Sequence, residues 1–460
     1  MNRLLVLVLS LLSLGAMVPG PASASPSTDW SAYLFSARHS SRSGAAAITP
    51  SNVATLHRGW TFTSPGPTMP GQPAGGFIAS PIVSNGRVYI GSNTGVFYAL
   101  DEATGQVIWS HFIGFVGHHT CGARGISSSA TVALDPVAMT PTVYVAGGDG
   151  FLYALDAATG TEVWHGEIAV PSSTVNDYYD WSSPAVANGR VFIGISSQCD
   201  SPLVRGGLRS FDQHTGASLA TWYTVSSGFV GGSIWSSPAA SATSVWVTTG
   251  NADNGTPGDW NSIVRLDPTT LTARARWMVP AAESVNDSDF GGSPTLFAAG
   301  GVSMVGACNK NGVYYAWRSG DLARQWKFNV AVGSPEGVRA CLAAAAWNGA
   351  GLFVAGPTTT IGGTSFKGSI RRLDPVTGHA TWERGLDGAV LGSAAVNAGG
   401  VVAVPMYDQL GSTNGVELVS AATGAKLRYL SSKKVFAQPT FAGPYLFVAA
   451  LPGSLTAWTV

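Results

Sequence analysis

The sequence predicts an all-β fold: an eight-bladed β-propeller of four-stranded antiparallel blades, closed by N- and C-terminal strands in one blade. Three observations predict it. A unit of short strands returns along nearly the whole chain. Its hairpins carry the pattern D-x-x-T-G, and a tryptophan closes almost every copy. Glycine, at 58 of 460 residues, exceeds the usual share of about 7%, as a fold built from tight turns requires.

The first clear copy is "SPIVSNGRVYIGSNTGVFYALDEATGQVIW" (80–109), and "TVYVAGGDGFLYALDAATGTEVW" (142–164) repeats its latter part. A third copy runs from 182 to Trp222. Looser ones cover 236 to Trp277, 292 to Trp326, 342 to Trp382, and 392 to about Leu430. An eighth, "QPTFAGPYLFVAALPGSLTAWTV" (438–460), stops after three strands, and "HRGWTF" (58–63) supplies the fourth. β-Branched and aromatic residues alternate between turn signals within each copy. In the hairpin the aspartate accepts bonds from the amides that follow it, and glycine takes the left-handed position. Trp60, Trp109, Trp164, Trp222, Trp277, Trp326 and Trp382 sit at one place in the repeat, so they are expected as apolar wedges between blades.

Around the propeller, expected over residues 57–460, the chain carries two further segments. Residues 1–24 have the form of a signal peptide: Arg3, the apolar run "LLVLVLSLLSL" (4–14) and the small-residue site "ASA" (22–24). The expected location is therefore outside the cytoplasm, extracellular or periplasmic. Residues 25–56, rich in Pro, Ser and Ala, are expected as a loosely structured lead-in. No apolar run is long enough for a transmembrane helix. Charged residues are only 11% of the chain and balance to zero, leaving no electrostatic footprint for nucleic acid. In an oxidising compartment the four cysteines form disulfides in one of three pairings. Cys121–Cys199 and Cys308–Cys341 are expected, because each joins neighbouring repeats.

Functional residues are those the repeat does not require. "GGSIWSSP" (231–238) places Trp235 on an innermost strand, out of register with the wedges. It is either a plug in the channel or a platform for a planar ring. Asn251 ends a strand before a long insertion. Asp287 and Asp289 open the fifth unit in "NDSDFGGSP" (286–294), as turn residues, a general base or metal ligands. "GACNKNGVYYAW" (306–317) sets Lys310 in a tight turn inside an apolar run, where a solvated charge is not expected. Arg124 and Ser196, in "RGISSS" and "ISS", add a cation and hydroxyls.

The order "GGSIWSSP…TTGN…DFGGSP…NKNGVYYAW" across 231–317 resembles the pyrroloquinoline-quinone (PQQ)-dependent quinoprotein alcohol dehydrogenases, most closely their polyvinyl-alcohol-dehydrogenase-like branch. The resemblance implies PQQ and Ca²⁺ as cofactors. It implies Trp235 against one face of the quinone, Lys310 on the quinone oxygens, Arg124 on a cofactor carboxylate and Ser196 as a polar contact. Asp289, with Asp287 as the alternative, would be the catalytic base, and Asn251 and Asp289 would be metal ligands. Two departures stand out. The family's adjacent cysteine pair is replaced by Cys121-Gly122, and its calcium-binding glutamate falls at Cys199, leaving Asp200 as the neighbouring oxygen donor. The implied function is oxidation of an alcohol, sugar or polymeric alcohol by hydride transfer to the quinone, with electrons passed to an external acceptor. The alternative is a cofactor-free propeller serving as an extracellular binding or assembly scaffold.

Overall fold

The computed structural model describes residues 28–117, 121–172, 177–253, 255–333, 340–409 and 411–460; the signal peptide expected at 1–24 lies outside them. Eight antiparallel sheets form the blades of a propeller, almost without helix. Seven have four strands, and one gains a fifth from Arg42–Ser43, which runs parallel to Ala395–Asn397. Closure is as the repeat predicts: His57–Thr63 pairs antiparallel with Ser454–Thr459, from His57 opposite Thr459 to Thr63 opposite Ser454. The two ends of the chain thus share a blade, and the ring is closed by strand pairing, leaving as edges only the short outer strands of the blades.

The wedges are bound as well as packed. Trp60, Trp109, Trp164, Trp326 and Trp382 each donate an indole N–H to a hairpin carbonyl of the next blade, at 2.9–3.3 Å. The hairpin glycine lies flat against the ring. At Gly160 (φ 73°) a Cβ would stand 2.5 Å from the Trp109 ring, so the position excludes a side chain both by conformation and by space. Blades four and five carry Leu271 and Leu322 at the equivalent turn. There Trp277 packs against Tyr315 and Trp317 at 4.9 and 5.1 Å between centroids.

Around the hub the innermost strands are laced by hydroxyls. Gln438 N–H donates to Ser80, Ser80 to Ser129, Ser129 to Ser183, Ser183 to Ser237 and Ser237 to Ser293, each at 2.9–3.0 Å. Blade six, whose "CLAAAAW" stretch lacks hydroxyls, offers Ala344 at this level; its N–H donates to Ser393 at 2.9 Å, and the Tyr33 hydroxyl lies between Ser293 and Ser393.

Tyr33 belongs to the segment expected as a loose lead-in, and here the structure differs from the expectation. Backbone bonds tie it in turn beneath blades one, two, four, five, six and seven: Trp30 to Val83, Ser31 to Val132, Ala37 to Ala240, Arg38 to Leu296, Ser40 to Trp347 and Ser41 to Val396. Trp30, Leu34, Ile48, Val53 and Leu56 are buried. A strap that makes isolated bonds to successive blades needs no two-residue apolar period, so composition alone gave no sign of its order.

Candidate functional site

A cavity of about 720 Å³ opens at the hub. One side carries charge and hydroxyls from blades three to five: Ser197, Asp200, Ser233, Asn251, Asp287 and Lys310, with the rings of Trp181 and Trp235. The opposite side is largely apolar, with Leu391, Tyr407, Phe436 and Leu451.

Lys310 explains its own odd sequence context. Asn309 and Asn311 are structural: Asn309 Oδ1 accepts the Asn311 N–H (2.9 Å), Asn311 Oδ1 accepts the Val313 N–H (3.0 Å), and Asn309 Nδ2 donates to the Ser288 carbonyl (2.7 Å). Gly312 completes the turn at φ 88°. The turn is pinned to the preceding strand lead by Lys310 N–H to the Asp289 carbonyl, at 3.0 Å. Its side chain is thereby delivered into a cluster. Nζ lies 2.6 Å from Asp289 Oδ1, and 3.1 and 3.2 Å from the two Asp287 oxygens. It also stands 5.1 Å from the Trp235 ring centroid, within range of a cation–π attraction.

Trp235 faces the hub, as its register predicted. Its Nε1 donates to Asp289 Oδ2 at 2.8 Å. Gly291 makes room for it, since a Cβ there would stand 2.3 Å from the indole and 2.5 Å from Leu342. Asp289, 1% exposed at its side chain, lies behind Lys310 and Trp235, whereas Asp287, 32% exposed, reaches the cavity. Burial pushes the Asp289 carboxyl up to about 6, against the opposing pull of the Lys310 ammonium. Burial works to lower the Lys310 ammonium, but the carboxylates of Asp289 and Asp287 outweigh it and hold the amine above its ordinary value.

The remaining expected residues divide. Asn251 donates its amide to Asp287 Oδ1, joining the cluster. Asp200 lines the cavity, accepts a bond from Ser197, and is raised by burial. Arg124 stacks on Trp181, its Cζ 4.9 Å from the ring centroid, with its Nε buried and unpartnered. Ser196 is turned away from the cavity: it is buried, and its hydroxyl donates to the Tyr179 carbonyl at 2.6 Å. Its neighbour Ser197 lines the cavity instead. Trp181 was missed in the sequence, although "WSSP" occurs twice, at 181–184 and 235–238. Its Nε1 donates to the carbonyls of Ser197 and Gln198, at 3.2 and 3.0 Å.

Both expected disulfides form, Cys121–Cys199 and Cys308–Cys341. Cys199 lies on the cavity wall, and Gln198 Nε2 donates to Gly122 O at 2.5 Å beside the bridge.

These residues fit PQQ, a planar ring system bearing carboxylates: the volume is ample, and rings, hydroxyls and the Lys310 ammonium line it, whereas Arg124, expected on a cofactor carboxylate, is not among the lining residues. They do not fit calcium, which takes six to eight oxygen ligands. Among the described residues no three His, Cys, Asp or Glu side chains stand close enough together to share a metal ion.

Residues 30–256, about half of the chain, match the family model described as PQQ, glucose/ethanol/alcohol dehydrogenase, beta-propeller domain. The quinohemoprotein alcohol dehydrogenase of Comamonas testosteroni is 29% identical over 208 residues, covering 44% of this chain and 27% of that protein. The polyvinylalcohol dehydrogenase of a Pseudomonas sp is 27% identical over 237 residues, 45% of this chain and 33% of that one. The matched stretch thus spans only a quarter to a third of these relatives' length. The structure of a europium-containing methanol dehydrogenase superposes with a TM-score of 0.72 at 17% identity, over 94% of this chain and 98% of that one, which establishes the shared fold. By its repeat, its eight blades and this match, the chain belongs to the PQQ β-propeller family of the quinoprotein alcohol dehydrogenases.

Proposed function

We propose that the chain is an exported PQQ-dependent dehydrogenase that oxidises an alcohol and passes the electrons to a separate acceptor. The observation that carries this reading is the ammonium of Lys310, held between Asp287 and Asp289 beside Trp235 at the wall of a ligand-sized cavity. Burying the Lys310–Asp289 pair costs several kcal/mol per ion in desolvation unless the two are well paired, and a scaffold gains nothing from it. A carboxyl raised by burial beside a cleft, as Asp289 is, suits proton transfer.

PQQ, when bound, supplies an o-quinone that accepts two electrons together with the carbinol hydrogen of the alcohol. The chain's own groups do the rest. Trp235 and Trp181 offer flat apolar faces, with Arg124 stacked on Trp181, the serine hydroxyls offer bonds to carboxylates, and Lys310 Nζ offers an N–H to a developing oxyanion. One such donor contributes about 3 kcal/mol in comparable sites. Asp289 is the proton acceptor for the alcohol hydroxyl: with its proton affinity near pH 6, it is ionised at neutral pH yet still basic enough to act. Asp287 and Lys310 stand between it and the cavity, so the hydroxyl meets Asp287 first. The proton passes to Asp289 by way of Lys310 Nζ, which contacts both carboxylates and gives one proton to Asp289 as it takes one from Asp287. The apolar wall at Leu391, Phe436 and Leu451 favours the hydrocarbon part of an alcohol.

The test is reconstitution. Purified protein is incubated with PQQ and desalted, and dye reduction is followed with a series of alcohols. Retained quinone absorbance and alcohol-dependent reduction are expected, with Asp289→Asn abolishing turnover and Asp287→Asn reducing it at least about tenfold, a barrier change of about 1.4 kcal/mol. Loss of the quinone on desalting, with no reduction at any alcohol concentration, would leave the scaffold reading in its place.

A further inference from the structure

We infer that Lys310 supplies, from within the chain, the positive charge that a divalent metal would otherwise bring to this site. The position of Nζ is a cation's position. It sits between Asp287 and Asp289, within 2.6–3.2 Å of three carboxylate oxygens. A metal shared by those two carboxylates would have to displace it.

The neighbouring donors are already turned to other partners in part. Asn251 turns its amide N–H to Asp287, and Asp200 accepts from the Ser197 hydroxyl while its own N–H donates back to that oxygen at 2.9 Å. The residue beside Asp200 that faces the same cavity is Cys199, whose sulfur is bound to Cys121. A disulfide sulfur is a poor ligand for a hard cation, which prefers oxygen.

The ammonium is also held in advance. Its turn is fixed by the Asn309 and Asn311 bonds and by Lys310 N–H to the Asp289 carbonyl. The ordering cost is therefore met on folding and not on binding a ligand. A metal-requiring site would instead leave Asp287 and Asp289 unpaired and mutually repelling until the ion arrived.

The experiment has two arms, and only the first rests on the quinone reading. In the first, PQQ affinity is measured by tryptophan quenching in EDTA and in millimolar Ca²⁺. Equal affinities within twofold are expected, and binding at least tenfold tighter in Ca²⁺ overturns the inference. In the second, Tb³⁺ is the probe, with no quinone present. Trp235 Nε1 lies 2.8 Å from Asp289, so an ion between the two carboxylates would take up indole excitation and emit strongly. Wild-type protein is expected to show no emission that Asp287→Asn removes. Lys310→Met is expected to gain such emission at least tenfold, and Lys310→Arg, which keeps the charge, to stay dark. Sensitised emission from wild type that Asp287→Asn abolishes overturns the inference. A folded Lys310→Met that gains none does the same. Should Lys310→Met fail to fold, Lys310→Gln takes its place, and the wild-type measurement decides without either. Failure of PQQ to bind in both buffers counts against the proposed function, while the Tb³⁺ arm still decides for or against the ammonium.

Discussion

Replacing Lys310 by methionine removes the ammonium that lies 2.6 Å from Asp289 Oδ1 and leaves a fully buried carboxyl without its counter-charge. The effect on stability depends on pH, and its sign follows from the carboxyl. Asp289 is raised from 3.8 to about 6 in the wild type, by burial first, with Lys310 opposing. A carboxyl raised on folding binds its proton more tightly in the native state. Its stabilising contribution is therefore full below the unfolded value and is lost as pH rises towards the folded one. In the wild type that loss ends near pH 6. Without Lys310 the folded value moves higher, and the loss continues at about 1.4 kcal/mol per pH unit. Between pH 6 and 8 the gap between wild type and variant should widen by roughly 2–3 kcal/mol. Removing the lysine's own desolvation cost adds an offset that is constant over this range. Urea unfolding followed by tryptophan fluorescence at pH 6, 7 and 8 measures it directly. Parallel stability curves for the two proteins would refute the reasoning, because they would mean that Asp289 does not depend on Lys310 for its ionised state.

Three other consequences are open to measurement. Gly291→Ala brings a Cβ to 2.3 Å from Trp235, so the indole must shift; quinone affinity should fall about tenfold or more, a change of 1.4 kcal/mol, with the unfolding midpoint moving far less than for a core truncation. His39 is buried against the Pro294 carbonyl (2.8 Å) and pushed by that burial from 6.5 down to about 4. Its neutral form is the native one, so stability is full above pH 6.5 and should fall by about 3 kcal/mol as pH drops through that interval, a slope that His39→Gln flattens. The Cys121–Cys199 bridge closes a separation of 78 residues, and Cys121→Ser with Cys199→Ser should cost about 2–4 kcal/mol in urea unfolding; unchanged stability would mean the loop is held by other bonds.

The sequence made the propeller legible because its devices are local and repeated. Asp156 accepts the amides of Ala158 and Thr159 and the hydroxyl of Thr159, as D-x-x-T-G requires, and Trp109 lands on Gly160 one blade further on. Lys310 was legible for the opposite reason: a charge in a glycine-bounded apolar run has to have a partner. The partners themselves were not. Nothing in "NDSDF" ranks Asp287 against Asp289, and only packing puts one at the cavity and the other behind Trp235. Ser196 and Ser197 point to opposite sides of a strand end, and a register error of one residue exchanges them. Tyr33 fills the place that Ala344 leaves among the hub serines, a relation across most of the chain that no local pattern encodes. The N-terminal strap was illegible because isolated bonds to one blade after another leave no period to read.

The most direct test of the account is a titration of PQQ into the purified protein, followed at once by quinone absorbance and by indole emission, for wild type and for Trp235→Ala. Saturation at one quinone per chain with quenched emission is expected, and binding at least tenfold weaker once Trp235 is removed. Saturable binding that is indifferent to Trp235, or none at all, would contradict the claim that this hub is built around a flat redox cofactor.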